Sequence, residues 1–336
     1  MSNEILSVEN LKIHFPLKRT LQDRIKQIPA RTVKAVDGVS FSVKQGETYG
    51  IVGESGSGKT TVSKGLVRLN PITDGRIFYR REDITTVKND QKKALCKEIQ
   101  YIFQDPFSSL NPQMTVMQIV RRPLDIFDLY SKKDRDRRVL ALLDMVGIAS
   151  NQVYRFPHEF SGGQRQRISI ARALAVEPSV LIADEPTSAL DVSIQCQILD
   201  LLTQLRNELG LTMIFVSHDL GVINHITDRV AVMYLGHIIE RGNTREVLKN
   251  PAHPYTQALL EALPKRASTH RIRRIRLEGY IPSPINPPTG CLLHPRCPYA
   301  QQECADRVPE WEQIGTQAAA CHYAKSQDFK PKTLAV

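Results

Sequence analysis

Gly53, Glu54, Ser55, Gly56, Ser57, Gly58, Lys59 and Thr60 fit the pattern Gly-x4-Gly-Lys-Ser/Thr, and Thr61 follows them. Such a loop binds phosphate: glycines let backbone N–H groups wrap the oxygens, Lys59 adds a point charge, and the Thr60 hydroxyl can ligate Mg²⁺. A ligand-free glycine turn would explain neither the lysine nor the threonine. Val180-Leu181-Ile182-Ala183 then runs into Asp184 and Glu185, an apolar strand ending in two carboxylates. Asp184 can hold a magnesium shell, and a carboxylate at Glu185 can orient and deprotonate an attacking water. His218, in Ser217-His218-Asp219 at the tip of a further strand, can reach a terminal phosphate or can be an ordinary packed or surface histidine. The chemistry implied is hydrolysis of a nucleoside triphosphate.

Ser161-Gly162-Gly163-Gln164 is a second phosphate-like element, whose N–H groups and hydroxyl sit at the positive end of a helix dipole. Two phosphate-binding helix ends but one nucleotide per chain imply a head-to-tail dimer, with each nucleotide sandwiched between two subunits.

Around these sites, β-rich runs at 49–52, 180–183, 212–216 and 230–234 alternate with helix-period segments, the pattern of an α/β layer structure. Helical stripes are expected on Val62, Leu66 and Leu69, and on Ile194, Ile198, Leu201, Leu205 and Leu209. Between Met114 and Ala175 strand signals fade, which predicts an inserted helical subdomain at about 105–175. Its last helix is expected over 164–176, stopping before Glu177-Pro178. After about Leu263 prolines multiply, and regular structure is expected to give way to loops. The expected domains are therefore 1–262 and 263–336. Residues 16–33 read as a basic surface insertion.

A composition of 41% hydrophobic and 24% charged residues belongs to a protein that folds without staples. No apolar run is long enough for a membrane span, and residues 1–10 lack the features of an export signal. The chain is expected neither to cross a membrane nor to be secreted. The net charge of +10 concentrates in residues 121–138 and 265–276. Neither run is interleaved with base-stacking aromatics, so no nucleic-acid partner is expected. A membrane-facing or partner-facing surface, or plain solvation, remains.

Four of the six cysteines, Cys291, Cys297, Cys304 and Cys321, crowd into the tail with the spacing Cys-x5-Cys-x6-Cys-x16-Cys. Without an export signal they are expected as reduced thiols. The spacing lacks close Cys-x2-Cys pairs, and chemistry alone leaves Zn²⁺, an iron–sulfur cluster and free cysteines open. Trp311, between the last two, is expected to anchor the packing of this small unit.

With Phe103-Gln104-Asp105-Pro106 and Ser188-Ala189-Leu190-Asp191, these motifs resemble the complete series of the ATP-binding cassette (ABC) family over roughly residues 5–260. The fold implied is an ABC-type P-loop ATPase with a mixed sheet core, an antiparallel β subdomain and the helical insertion, followed here by the small Cys-rich C-terminal unit. The resemblance makes Gln104 the glutamine that senses Mg²⁺ and water, and Phe160–Gln164 the signature, with Phe in the commoner Leu position. It places Asp191 in the D-loop, makes His218 the switch histidine, and matches Phe15 to the aromatic that stacks on adenine, a core phenylalanine being the alternative. ATP would lie between the phosphate loop of one subunit and the signature of the other.

His253-Pro254-Tyr255-Thr256, Pro282-Ser283-Pro284, Pro287-Pro288, Gly290-Cys291 and Arg296-Cys297-Pro298 resemble the C-terminal region of oligopeptide and dipeptide importer ATPases; Tyr280 stands where relatives often carry an acidic residue. That resemblance implies a [4Fe–4S] cluster on the four cysteines. It also implies a peripheral subunit on the cytoplasmic face of the inner membrane. Its partners would be two transmembrane permease subunits, a second ABC ATPase in a heterodimer (a homodimer being the alternative) and, indirectly, an extracytoplasmic peptide-binding protein. Relatives with this tail also move nickel, glutathione or oligosaccharides. A soluble ABC ATPase acting on nucleic acid or ribosomes is the rival reading, but such proteins usually bring paired cassettes or a long coiled coil, which this chain lacks.

Overall fold

The computed structural model describes residues 3–19, 31–87, 89–262 and 277–326. Most of the basic insertion, 20–30, and the basic run 265–276 lie outside the described residues. The chain forms two compact units, one of Met1–Asn3, Val43–Thr48 and Thr86–Val216, the other of Glu4–Ser42, Tyr49–Thr85 and Ser217–Val336.

In the first unit, strands Ile99–Ile102, Val180–Asp184 and Thr212–Ser217 run parallel, with Ile99 opposite Val180 and Asp184 opposite Val216. Val180–Asp184 and Thr212–Ser217 are buried along their whole length. A parallel strand covered on both faces needs such a continuous apolar run rather than alternation. Helices Val116–Ile126, Lys132–Met145 and Gly162–Leu174 pack on one another, and their Ile119, Leu124, Val139, Leu143 and Ile168 are buried. Thr115 opens the first of these helices with a capping box closed by Gln118, and Ser131 caps the second.

Most of the basic run 121–138 is matched by local acids. Arg121 pairs with Asp125 and Asp136, Arg135 with Asp125 and Asp128, Arg137 with Asp134, and Arg138 with Glu177. These pairs offset part of the run's charge locally.

The second unit contains an antiparallel sheet in the order Thr32–Lys44, Glu4–Pro16, Asp74–Tyr79, Glu82–Asp83, with a bulge between Glu9 and Lys12. It also contains strand Thr48–Val52, parallel to Arg229–Tyr234, which pairs antiparallel with His237–Asn243.

Three expectations need correction. The tail is not all loop: Trp311–Ile314 and Gln317–Ala320 form a hairpin turning at Gly315 (φ 58°), and its second strand pairs with His237–Asn243. The two-residue Gly-Thr turn was the available signal. Trp311 is not a buried anchor; it stays 43% exposed, with the Arg241 guanidinium 4.8 Å over its ring. Leu69 and Leu209 fall off their stripes, 55% and 41% exposed. The first lies beyond its helix, which ends at Leu66, and the second is the final residue before the left-handed Gly210 stop.

Candidate functional site

Strand Thr48–Val52 delivers the phosphate loop, and helix Lys59–Leu66 begins inside it. Gly58, the residue before the helix, adopts φ 103°, and a Cβ there would stand 2.3 Å from the Ala35 carbonyl oxygen, so only glycine fits. Lys59 is buried, and its Nζ donates to the carbonyl oxygens of Gly53 at 2.8 Å and Glu54 at 3.0 Å. Those bonds curl the loop so that its lysine sits at the mouth of the helix dipole. Thr60 and Thr61 occupy the first turn half-buried, Ser57 is buried, and Ser55 and Gly56 are exposed at the tip. In the same unit Phe15 is half-buried, one residue before the end of strand Glu4–Pro16, and His218 is exposed just after Ser217.

In the first unit, strand Val180–Asp184 ends in the two carboxylates at different depths. Asp184 is 1% exposed and its Oδ2 accepts the Tyr101 hydroxyl at 2.7 Å. A buried carboxylate held by an O–H donor suits a hard cation such as Mg²⁺. Glu185, half-buried, turns off the strand with φ 46°, a left-handed backbone that its N–H secures by donating to Val216 O at 2.9 Å. For a non-glycine residue this is stored strain of the kind found where side chains are aimed for function. Its Oε2 accepts the Gln104 Nε2 amide at 3.0 Å, so the structure brings these two predicted residues together. Tyr101 escaped sequence reasoning; its one signal is a buried tyrosine hydroxyl, which needs a partner.

The signature differs in detail from its expectation. Helix Gly162–Leu174 begins two residues before the expected 164, so both glycines lie within its first turn and Ser161 is its cap. Ser161 Oγ accepts the Gln164 N–H at 3.4 Å while Gln164 Oε1 accepts the Ser161 N–H at 3.0 Å. Ser-x-x-Gln is thus also a capping box. Gly163 is buried, and a Cβ there would stand 2.4 Å from Ile194 Cγ2. Asp191 is exposed and caps helix Val192–Leu209, its Oδ1 accepting Ile194 N–H at 3.0 Å and Ser193 Oγ–H at 2.7 Å, which holds its carboxyl below the usual range.

The four tail cysteines line one cavity of about 20 Å³, together with His253, Leu293, Tyr299 and Tyr323. That is room for about one water. All four are free thiols. Burial pushes Cys291 up to about 11, and burial together with the neighbouring thiols pushes Cys321 up to about 12, so both are protonated at neutral pH. Among the described residues no group of three or more His, Cys, Asp or Glu is placed to hold a metal ion.

Residues 36–188 match the family described as ABC transporter, and residues 239–304 match the oligopeptide/dipeptide transporter C-terminal region. The chain is 48% identical to the oligopeptide transport ATP-binding protein AppF of Bacillus subtilis, over 95% of this chain and 97% of that protein. It is 48% identical to OppF of Salmonella typhimurium over 94% and 95%, and 43% identical to the dipeptide transport ATP-binding protein DppF of Escherichia coli over 99% and 98%. Among solved structures, the ADP- and Pi-bound dimer of the cassette MJ0796 aligns with TM-score 0.61 at 29% identity, over 71% of this chain and 99% of that one. CbiO1 of Clostridium perfringens aligns with TM-score 0.62 at 31% identity, over 74% and 92%. Among the described residues no helix is long and apolar enough to cross a membrane. With a phosphate loop, paired strand-end carboxylates, a capped signature helix and relatives that match it nearly end to end, the chain belongs to the ABC transporter ATPases, among the oligopeptide and dipeptide transport ATP-binding proteins.

Proposed function

We propose that this chain binds and hydrolyses ATP as the motor subunit of an importer that takes up oligopeptides or dipeptides across the cytoplasmic membrane, from whose inner face it works. The observation that carries the hydrolytic part is Glu185, set on a strained turn at a strand end with the Gln104 amide on its carboxylate. The match of residues 239–304 to the oligopeptide/dipeptide C-terminal region supports the cargo class.

In this reading Gly53–Thr61 cradles the phosphates, Lys59 compensates their charge, and Glu185 orients and deprotonates the attacking water. Gln104 reports on that water, His218 contacts the terminal phosphate, and Phe15 stacks on adenine. Mg²⁺, when bound, would neutralise charge developing on the phosphates, and Thr60, Asp184 and Gln104 are the residues that the family motifs assign to it. Ser161, Gly162, Gly163, Gln164 and Asp191 would serve the nucleotide of a second ATPase subunit. Two permease subunits and an extracytoplasmic binding protein complete the assembly, and closure on ATP would reach the permease through the helices at 105–175.

The division into a nucleotide-binding domain, 1–262, and a Cys-rich C-terminal unit, 263–336, belongs to the same proposal. The tail's finer reading, an iron–sulfur cluster with zinc as alternative, is supported by four soft donors lining one buried cavity and requires the thiols to deprotonate and move. Anaerobic purification with iron, sulfide and zinc analysis decides it. For the function, affinity purification of the chain should bring down a permease pair and a binding protein whose retained ligand is a peptide. Nickel, glutathione or an oligosaccharide there would change the cargo, and ribosomes or nucleic acid with no permease would overturn the importer.

A further inference from the structure

Glu54 is the second residue of the phosphate loop, and each of its polar groups is held by a named partner. Its N–H donates to the Tyr255 hydroxyl at 2.8 Å, and its carbonyl oxygen accepts Lys59 Nζ at 3.0 Å. Its carboxylate takes the Arg296 guanidinium as a fork, with Nη1 to Oε2 at 2.9 Å and Nη2 to Oε1 at 3.4 Å. Lys59 belongs to the loop. Tyr255 and Arg296 lie 201 and 242 positions away, outside the residues that match the cassette and within those that match the C-terminal region.

Both outside grips are rigid. Tyr255 is fully buried, its ring 4.8 Å from that of Tyr234. The Arg296 side chain is 9% exposed, with its guanidinium 5.8 Å from the Tyr234 ring centre. Arg296 N–H is anchored on Leu293 O at 2.9 Å, and its neighbour Cys297 lines the thiol cavity, as do His253 and Pro254 just before Tyr255. A fork of this kind, largely out of water, is both directional and strong. It also solves an electrostatic problem, since a bare Glu54 carboxylate in a loop built to receive a triphosphate would repel it.

We propose that the C-terminal region sets the phosphate loop: Arg296 and Tyr255 are positioning residues for ATP binding, acting through Glu54. The tail then has a task in the nucleotide cycle besides any it has in recognising the transport complex. The inference rests on reading Gly53–Thr60 as the ATP loop.

The test measures MgATP affinity and thermal unfolding on the full chain. Arg296→Ala should weaken affinity about tenfold, within the usual range for coupling between sites. Arg296→Lys should recover part of it. The decisive variant is Arg296→Ala combined with Glu54→Gln: it removes the orphaned charge and should restore most of the affinity, whereas a merely structural role predicts no recovery. Tyr255→Phe keeps the ring, loses the hydroxyl that accepts the Glu54 N–H and should weaken binding about threefold, a milder value consistent with one neutral hydrogen bond; it keeps the idea testable if the arginine variants do not fold. Lys59→Ala separates the two readings. If Lys59→Ala binds ATP normally, the loop reading falls and takes this one with it. If it loses binding while Arg296→Ala and Tyr255→Phe bind as the parent does, this inference alone is overturned, as it is by failure of the double variant to recover.

Discussion

Gln104 Nε2 donates a 3.0 Å hydrogen bond to Glu185 Oε2, tying a residue that leads into the helical segment to the carboxylate at the end of the central strand. The amide fixes where that carboxylate points. In the proposed mechanism this one bond joins the water-activating base to the residue that reports on it.

Replacing Glu185 by Gln keeps the shape and an acceptor but removes the base. ATP binding should persist while steady-state hydrolysis falls by about 10² to 10⁴, the usual contribution of a positioned general base. Near-normal turnover would remove Glu185 from the mechanism.

Tyr101→Phe deletes the hydroxyl that holds buried Asp184. Losing a hydrogen bond to a charged group should cost about 1.5–3 kcal/mol, read from urea midpoints, and should raise the Mg²⁺ concentration needed for half-maximal hydrolysis. An unchanged Mg²⁺ requirement would separate Asp184 from the metal.

Gly58→Ala should abolish measurable ATP binding while leaving the rest of the fold intact. The new methyl would stand 2.3 Å from the Ala35 carbonyl and the φ of 103° is hostile to any side chain, so the loop must leave its place. Wild-type affinity in this variant would show that the loop adapts.

Glu240 and His253 predict a pH profile. Burial pushes Glu240 up from 4.5 to about 7 although it accepts the Ala252 and His253 N–H groups, and burial pushes His253 down from 6.5 to about 3. The folded state holds Glu240 protonated where the unfolded chain ionises, so its stabilisation is present below pH 4.5 and is lost as pH rises through 7. His253 has the opposite sign: its stabilisation is present above pH 6.5 and is lost as pH falls towards 3. The two slopes oppose each other between 4.5 and 6.5, where stability should be nearly flat. In Glu240→Gln the opposing slope is gone, so urea midpoints should climb between pH 4.5 and 6.5, where the parent is nearly flat. A flat profile in that variant would mean His253 takes up its proton while folded.

Much of this was legible in the sequence because it is local. The four core strands are apolar runs, and the phosphate loop, the carboxylate pair and the signature are contiguous strings whose residue types state their chemistry. What escaped is long-range. Tyr101 pairs with a residue 83 positions away and Arg296 with one 242 away, and no periodicity encodes which distant partner a tyrosine or arginine will meet. Glu185 was legible as a carboxylate, but its left-handed backbone was not, because a glutamate carries no marker for positive φ. The tail hairpin was hidden by the proline-rich text before it.

Ser161 and Gln164 close part of the signature helix's end upon themselves, so that in an unaccompanied subunit the Gln164 N–H is already engaged. The seal is uneven: the Gln164 N–H reaches Ser161 Oγ across 3.4 Å, near the outer limit of a hydrogen bond, while the return bond is 3.0 Å. In the proposed dimer, a phosphate offered by a neighbour would have only the looser clasp to undo, while the tighter one would keep the helix wound. Docking and release would then alternate without melting the element that performs them, as a reusable latch requires.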